Sequence, residues 1–156
     1  MRVPAIVASA ALLLAACGGE KKVNSTDTTT MAAPPAAPPA AAATGATHEV
    51  QMIQEGPNTF KFVPAELTIK AGDAVTFKGV SGLAHDVAFY KDSIPAGAEA
   101  VLNANIQNKP QDLATEMVQD GNSTTVSFAG APAGDYKYYC IPHMAMNMKG
   151  IIHVTP

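Results

Sequence analysis

The 156-residue chain has no tryptophan. Helix-favouring Leu, Glu and Lys are sparse, while Val, Thr, Gly and Pro are well represented, and that balance points away from a helical bundle and toward a β domain. A strong imbalance of charge is also missing. Ten Lys and Arg against 13 Asp and Glu leave a formal net charge of -3, so no nucleic-acid partner is expected. The apolar run at the start is shorter than the roughly 20 residues a transmembrane helix needs. Only two cysteines occur, Cys17 and Cys140. The length suits one domain of ordinary size once the N-terminal third is set aside.

Residues 1–16 carry one basic side chain, Arg2, ahead of an apolar run that ends in Leu14-Ala15-Ala16-Cys17. This pattern reads as a secretory signal peptide. Its last four residues resemble the lipobox of bacterial lipoproteins, in which the cysteine is acylated and becomes the new N-terminus. The resemblance implies lipidation of Cys17 and an exported protein, periplasmic or cell-surface, anchored to a membrane by several acyl chains. Gly18 in place of Asp favours the outer membrane where the cell has one. Cys140 is then the only thiol of the folded part, in a compartment where disulfides are usual. Such a thiol is reactive, buried or on a metal.

Residues 17–46 form an Ala/Pro-rich linker behind Cys17, with Pro34-Pro35 and Pro38-Pro39. A segment of this kind cannot bury a core. About 30 residues at up to ~3.1 Å each make a tether of as much as ~90 Å. From Thr47 to Pro156 the pattern changes to period two. Val50 and Met52, Phe60 and Phe62, Leu67 and Ile69, Val75 and Phe77, then Val126 and Phe128 alternate with polar neighbours. Gly/Pro turns separate these runs, as at Ala71-Gly72-Asp73 and Pro132-Ala133-Gly134-Asp135. Short punctuated strands predict an all-β antiparallel sandwich or barrel. His85 to Phe89 reads as one more strand, and Tyr136–Cys140 and Gly150–Val154 complete the set. Ala96 to Met117 lacks alternation and reads as a crossover excursion with one short helix around 98–105. His48, at the linker's edge, is expected to be solvated, and His153 to face outward.

The chemistry gathers between Tyr136 and Val154. Cys140, His143, Met144, Met146 and Met148 fall within nine residues of loop and strand. Thiolate, imidazole and thioether together favour copper over hard cations, and His85 is the candidate for a fourth ligand. Each residue also has an ordinary reading. Cys140 is compatible with a small buried hydrophobe, His143 with a loop residue, His85 with a core histidine and Met148 with core packing. All four ordinary readings would have to coincide at the spacing Cys-x-x-His-x-x-x-x-Met. Zinc is the rival ion, but it prefers carboxylate to thioether.

From Val50 to Val154 the chain resembles a small cupredoxin of the plastocyanin, pseudoazurin and amicyanin group. The residues that carry the likeness are Phe60-x-Phe62-x-Pro64, the run Leu67 to Phe77, Ala84-His85-Asp86-Val87, Ile94-Pro95-Ala96-Gly97, and Gly134 through Gly150. The resemblance implies a Greek-key sandwich with one type 1 copper held by His85, Cys140, His143 and an axial Met148. Met148 is preferred to Met146 because the family's axial ligand precedes x-Gly and a β-branched run, here Lys149-Gly150-Ile151-Ile152. Two positions depart from the pattern. Asp86 stands where Asn commonly pins the cysteine loop, and Ile141 stands where Ser or Thr often follows the cysteine. The family likeness further implies a monomeric electron carrier that is no enzyme, with redox protein partners docking on an apolar patch of Leu83, His143, Met144 and Met146. The paired His-x-His motifs of a trinuclear oxidase cluster and the second cysteine of a binuclear copper site are missing. The competing expectations are a copper chaperone or scavenger that binds cuprous ion through the Met-rich loop, and a structural module with a vestigial site.

Overall fold

A computed structural model describes residues 42–156; Cys17, the signal segment and most of the linker lie outside the described residues. Eight strands and one helix follow in order: β1 (Thr47–Gly56), β2 (Thr59–Val63), β3 (Glu66–Lys70), β4 (Ala74–Gly79), β5 (Ala88–Phe89), α1 (Ala98–Asn105), β6 (Ser123–Ser127), β7 (Gly134–Tyr139) and β8 (Lys149–Thr155). The strands form two four-stranded sheets, ordered β2-β1-β4-β6 and β3-β8-β7-β5. The sandwich is the one the alternation predicts. The pairing is not wholly antiparallel, however: β1 runs parallel to β4 and β3 parallel to β8. These are pairings between strands separated in sequence, where no hairpin forces the direction.

The period-two pattern places one face of each strand in the core. Val50 and Met52 of β1, Phe60 and Phe62 of β2, Phe77 of β4, Tyr136 and Tyr138 of β7, and Ile152 and Val154 of β8 are all buried. Tyr138 sits at the centre of an aromatic cluster, edge-to-face with Phe62 at 4.7 Å and with Phe77 at 5.4 Å between ring centroids. Burying side chains of this size contributes roughly 1.5–3 kcal/mol each. Gly150 belongs to this packing. A Cβ there would lie 2.4 Å from the Tyr138 ring tip and 2.8 Å from the Ala65 carbonyl oxygen, so only glycine fits. Gly72, at φ +95°, makes the β3–β4 turn that the sequence places there.

The helix falls at 98–105, as the break in alternation predicts. It buries Ala98, Leu102 and Asn105, and the Asn105 Nδ2 donates to the Ser127 and Ala129 carbonyls at 2.9 and 3.0 Å. The extended conformation of Ile106 ends it. The predicted strand from His85 to Phe89 is reduced to Ala88–Phe89. His85 instead bridges Val118, and Ala88 bridges Ala114, so the returning end of the excursion clamps this segment. His48 corrects another expectation. Its Nε2 lies 2.8 Å from Asp73 Oδ2, and Asp73 also accepts from the Ala46 and Lys70 amides. The backbone joins the fold from Thr44, whose amide donates to the Gly72 carbonyl. His153 does face outward and pairs with Asp135 at 2.7 Å. Among the described residues no helix is long and apolar enough to cross a membrane.

Candidate metal centre

Cys140 follows the last residue of β7, and the chain then turns tightly back toward β8. The His143 amide donates to the Cys140 carbonyl, and the Met148 amide to the His143 carbonyl. The Cys140 amide in turn donates to the Met148 carbonyl at 3.1 Å, so the loop is closed at its neck. A single 3-10 turn over Met144–Met146 and a left-handed Asn147 (φ 62°) complete the reversal. Asn tolerates that conformation better than most side chains. The same connectivity lays Met148 beside Cys140 and His143, fully buried.

Sequence positions 85, 140 and 143 meet at the end of the sandwich. Their donor atoms lie within 4.8 Å of one another, and all three residues are buried. The Cys140 Sγ is 3.2 Å from His143 Nδ1 and 3.8 Å from His85 Nδ1. His85 Nε2 lies 3.2 Å from the Ser81 carbonyl. Donation of a proton to that carbonyl fixes the tautomer and leaves the Nδ1 lone pair facing the sulfur. The His143 ring is held from the other side by Phe60, parallel within 8° and 3.8 Å away between centroids.

Burial governs the electrostatics. It holds the pKa of both imidazoles below the ordinary histidine value, and at His143 the neighbouring His85 lowers it further. Both rings are therefore neutral at neutral pH, as metal ligation requires. Burial also pushes the Cys140 thiol up to about 12, so a bound metal has to displace its proton. Asp86 is likewise raised by burial, against pulls from the Ile141 amide and from Cys140. Its Oδ1 accepts the Ile141 amide at 2.7 Å. The cysteine loop is thus pinned from position 86, with a carboxylate in the acceptor's place.

The sequence alone missed two residues. Phe60 shows in the alternation only as a core residue, and nothing in the pattern says that it stacks on His143. Asn147 carries the weak signal of a turn-favouring residue ahead of Met148. The patch expected around an open edge of His143 is also altered. Leu83 is 70% and Met144 48% exposed, and Met146 packs partly against the core, but His143 itself is only 3% exposed.

The donor set fits copper. A thiol, which a metal would convert to the thiolate, and two neutral imidazoles converge from a buried frame, with a thioether residue alongside, and softness of this kind selects copper among biological ions. Fold and site together define a small copper-binding β-sandwich protein.

Residues 46–155 match the family described as copper binding proteins, plastocyanin/azurin family. The chain is 36% identical over 94 residues to plastocyanin B'/B'' of Nicotiana tabacum, a match covering 60% of this chain and 87% of that one. It is 32% identical over 94 residues to the chloroplastic plastocyanin of Physcomitrium patens and spans half the length of that relative. A solved pseudoazurin from Sinorhizobium meliloti superposes with a TM-score of 0.54 at 25% identity, over 72% of this chain and 76% of that one. The chain belongs to the plastocyanin/azurin family of copper-binding proteins and is a cupredoxin.

Proposed function

We propose that this protein is a membrane-tethered type 1 copper carrier that moves single electrons between larger redox partners outside the cytoplasmic membrane. Its ligands are His85, Cys140, His143 and Met148. The observation that carries the reading is the convergence of three buried donors within 4.8 Å, one of them a thiol that forms no disulfide among the described residues. A copper ion held by these residues would supply a one-electron Cu(II)/Cu(I) couple. The protein's part is to hold its donors in one arrangement that serves both states. His85 is fixed by the Ser81 carbonyl and the Val118 bridge, His143 by Phe60, and Cys140 by the loop neck. Burial of all three keeps these donors away from solvent and from a soluble substrate, which supports a carrier over an enzyme. The same burial argues against a chaperone, because delivery of cuprous ion needs open and labile coordination.

Electrons enter and leave at the metal end, where the exposed apolar side chains of Leu83 and Met144 are the surface offered to a redox protein partner. The carrier acts as a monomer. Acylated Cys17 supplies the anchor and the Ala/Pro linker the reach. Copper loading tests the central claim. The complex is expected to show an intense visible charge-transfer band that Cys140→Ser abolishes, whereas a colourless complex, or a blue Cys140→Ser protein, overturns the type 1 reading. Cys17→Ala is expected to release the exported protein from the membrane fraction with its copper band unchanged. Persistent membrane association of the processed variant overturns the anchor.

A further inference from the structure

The segment that carries His85 and the returning end of the excursion that pairs with it do not match in length. His85 bridges Val118, and Ala88 bridges Ala114. Between those bridges three residues, 115–117, stand opposite two, 86 and 87, which is the count of a β-bulge. At His85 the pairing is regular: its amide donates to the Val118 carbonyl at 3.0 Å, and its carbonyl accepts the Val118 amide at 2.6 Å. At Val87 it is not. The Val87 carbonyl accepts the Thr115 amide at 2.9 Å, but the Val87 amide donates to the Thr115 side-chain Oγ1 at 3.1 Å. The hydroxyl takes the place of a backbone carbonyl and donates in turn to the Glu116 carbonyl at 3.1 Å. Val87 is 0% and Thr115 1% exposed, so bulk water is no substitute acceptor for this amide.

The excursion is also held beyond the bulge. Leu113 stands at φ 61°, a conformation unfavourable to a bulky side chain. Its amide donates to Asn103 Oδ1 of α1 at 2.7 Å, and its carbonyl accepts the Phe89 amide at 2.9 Å. A strained residue fixed through both backbone groups marks a register that the surrounding structure enforces.

We propose that Thr115 is a positioning residue for His85: its hydroxyl closes the bulge, locks 113–118 against 85–89, and so fixes the backbone from which the His85 imidazole meets Cys140 and His143. The role rests on the type 1 reading above. Without the hydroxyl the buried Val87 amide loses its acceptor. The pairing can then open toward the Val118 bridge or slip by one residue, and a slip turns side chains to the other face.

The test compares wild type, T115V and T115S. Valine keeps the shape and removes the acceptor, whereas serine keeps the hydroxyl. Amide hydrogen exchange of the copper-free protein reads the register. In wild type the Val87 amide is expected to be protected as well as the His85 and Val118 amides. In T115V all three are expected to exchange about tenfold faster or more, and T115S is expected to restore them. Voltammetry of the loaded protein reads the positioning. A loosened imidazole donates less to cupric ion, so T115V is expected to shift the couple toward Cu(I) by about threefold or more, with T115S back at the wild-type value. Should T115V not fold, T115A removes the same acceptor for both measurements.

A wild-type Val87 amide that exchanges as fast as exposed loop amides overturns the proposal with no variant needed. Unchanged exchange at His85 and Val118 in T115V overturns the link to the ligand. Faster exchange with an unchanged potential and visible band reduces Thr115 to a structural residue and overturns the positioning role, while the type 1 reading stands. A colourless wild-type copper complex overturns the type 1 reading and the positioning role with it, whatever the exchange rates.

Discussion

Replacing Gly150 with alanine tests how the core supports the site. The added Cβ would stand 2.4 Å from the Tyr138 Cζ and Oη and 2.8 Å from the Ala65 carbonyl oxygen. Neither obstacle yields easily. The Tyr138 ring is wedged among Phe62, Phe77 and Phe89, and the Ala65 carbonyl accepts the Ile151 amide at 2.9 Å. Overpacking a tight core costs about 1–3 kcal/mol. With two obstacles the upper half of that range is expected, a fall in melting temperature on the order of 10 °C for a domain of this size.

The strain has a second readout, because Gly150 lies two residues beyond Met148 on β8. Thermal and denaturant melts of the copper-free protein measure the cost, and the visible band of the loaded protein reports any shift of Met148. Tyr138→Phe is the control. Among the described residues the buried phenolic oxygen has no hydrogen-bond partner, so its removal is expected to be neutral or stabilising. Combined with Gly150→Ala it should recover part of the loss, since one of the clashing atoms is gone. A Gly150→Ala protein within about 0.5 kcal/mol of wild type, the range of an inconsequential surface change, would refute the close-packing argument.

Three further outcomes are expected. Met148→Leu should keep the protein blue and raise its potential, and Met148→Gln should lower it, while Met146→Leu changes it little; voltammetry showing the reverse ranking makes Met146 the axial ligand. The Phe60–His143 stack should appear as a coupling of about 0.5–1.5 kcal/mol in a double-mutant cycle of Phe60→Leu with His143→Ala on the copper-free protein, and zero coupling would dismiss it. Asp73 has its pKa lowered chiefly by the Lys70 amide and His48, so its contribution is full above the ordinary carboxylate range and is lost as pH falls through the lowered value. Asp73→Ala should therefore melt lower than wild type at neutral pH, the gap closing as the medium turns acidic; parallel melting curves from pH 7 to about pH 3 would exclude that role.

Much of the fold was legible because a β-sandwich repeats one local rule. Val50/Met52, Phe60/Phe62 and Ile152/Val154 each declare a buried face through period two, and the loss of that period at Ala96 marks the helix. Strand direction was not legible. Nothing local in Thr47–Gly56 says that β4 will lie parallel beside it, since that pairing is decided by how two sheets close over one core. The segment from His85 to Phe89 has strand-like residues, yet its partners at Val118 and Ala114 arrive from a long excursion, so its length could not be read in advance. The proposed ligand positions stand out in the sequence because their residue types are rare together at that spacing. Their supports did not show, because Phe60 and Ser81 are common residues whose roles exist only in the folded chain, Phe60 far in sequence from His143 and Ser81 across a turn from His85. His48 was misread for the same reason: its partner Asp73 lies 25 residues away.

The supports explain why this site suits rapid electron exchange. Each proposed ligand is held by the protein itself: His85 through Ser81 and Val118, His143 through Phe60 and the Cys140 carbonyl, Cys140 through Met148 and the Asp86–Ile141 hydrogen bond. A frame fixed from behind resists the different geometries that Cu(I) and Cu(II) prefer, so little has to move when the electron arrives. The one thing the fold does not supply is the thiolate. With burial pushing Cys140 up to about 12, the sulfur keeps its proton at neutral pH until a metal takes its place, and copper uptake is linked to proton release. Rigidity therefore belongs to the chain and deprotonation to the ion. It follows that copper should raise the melting temperature by selective binding to the folded state while leaving the backbone of the ligand loop where it already stands.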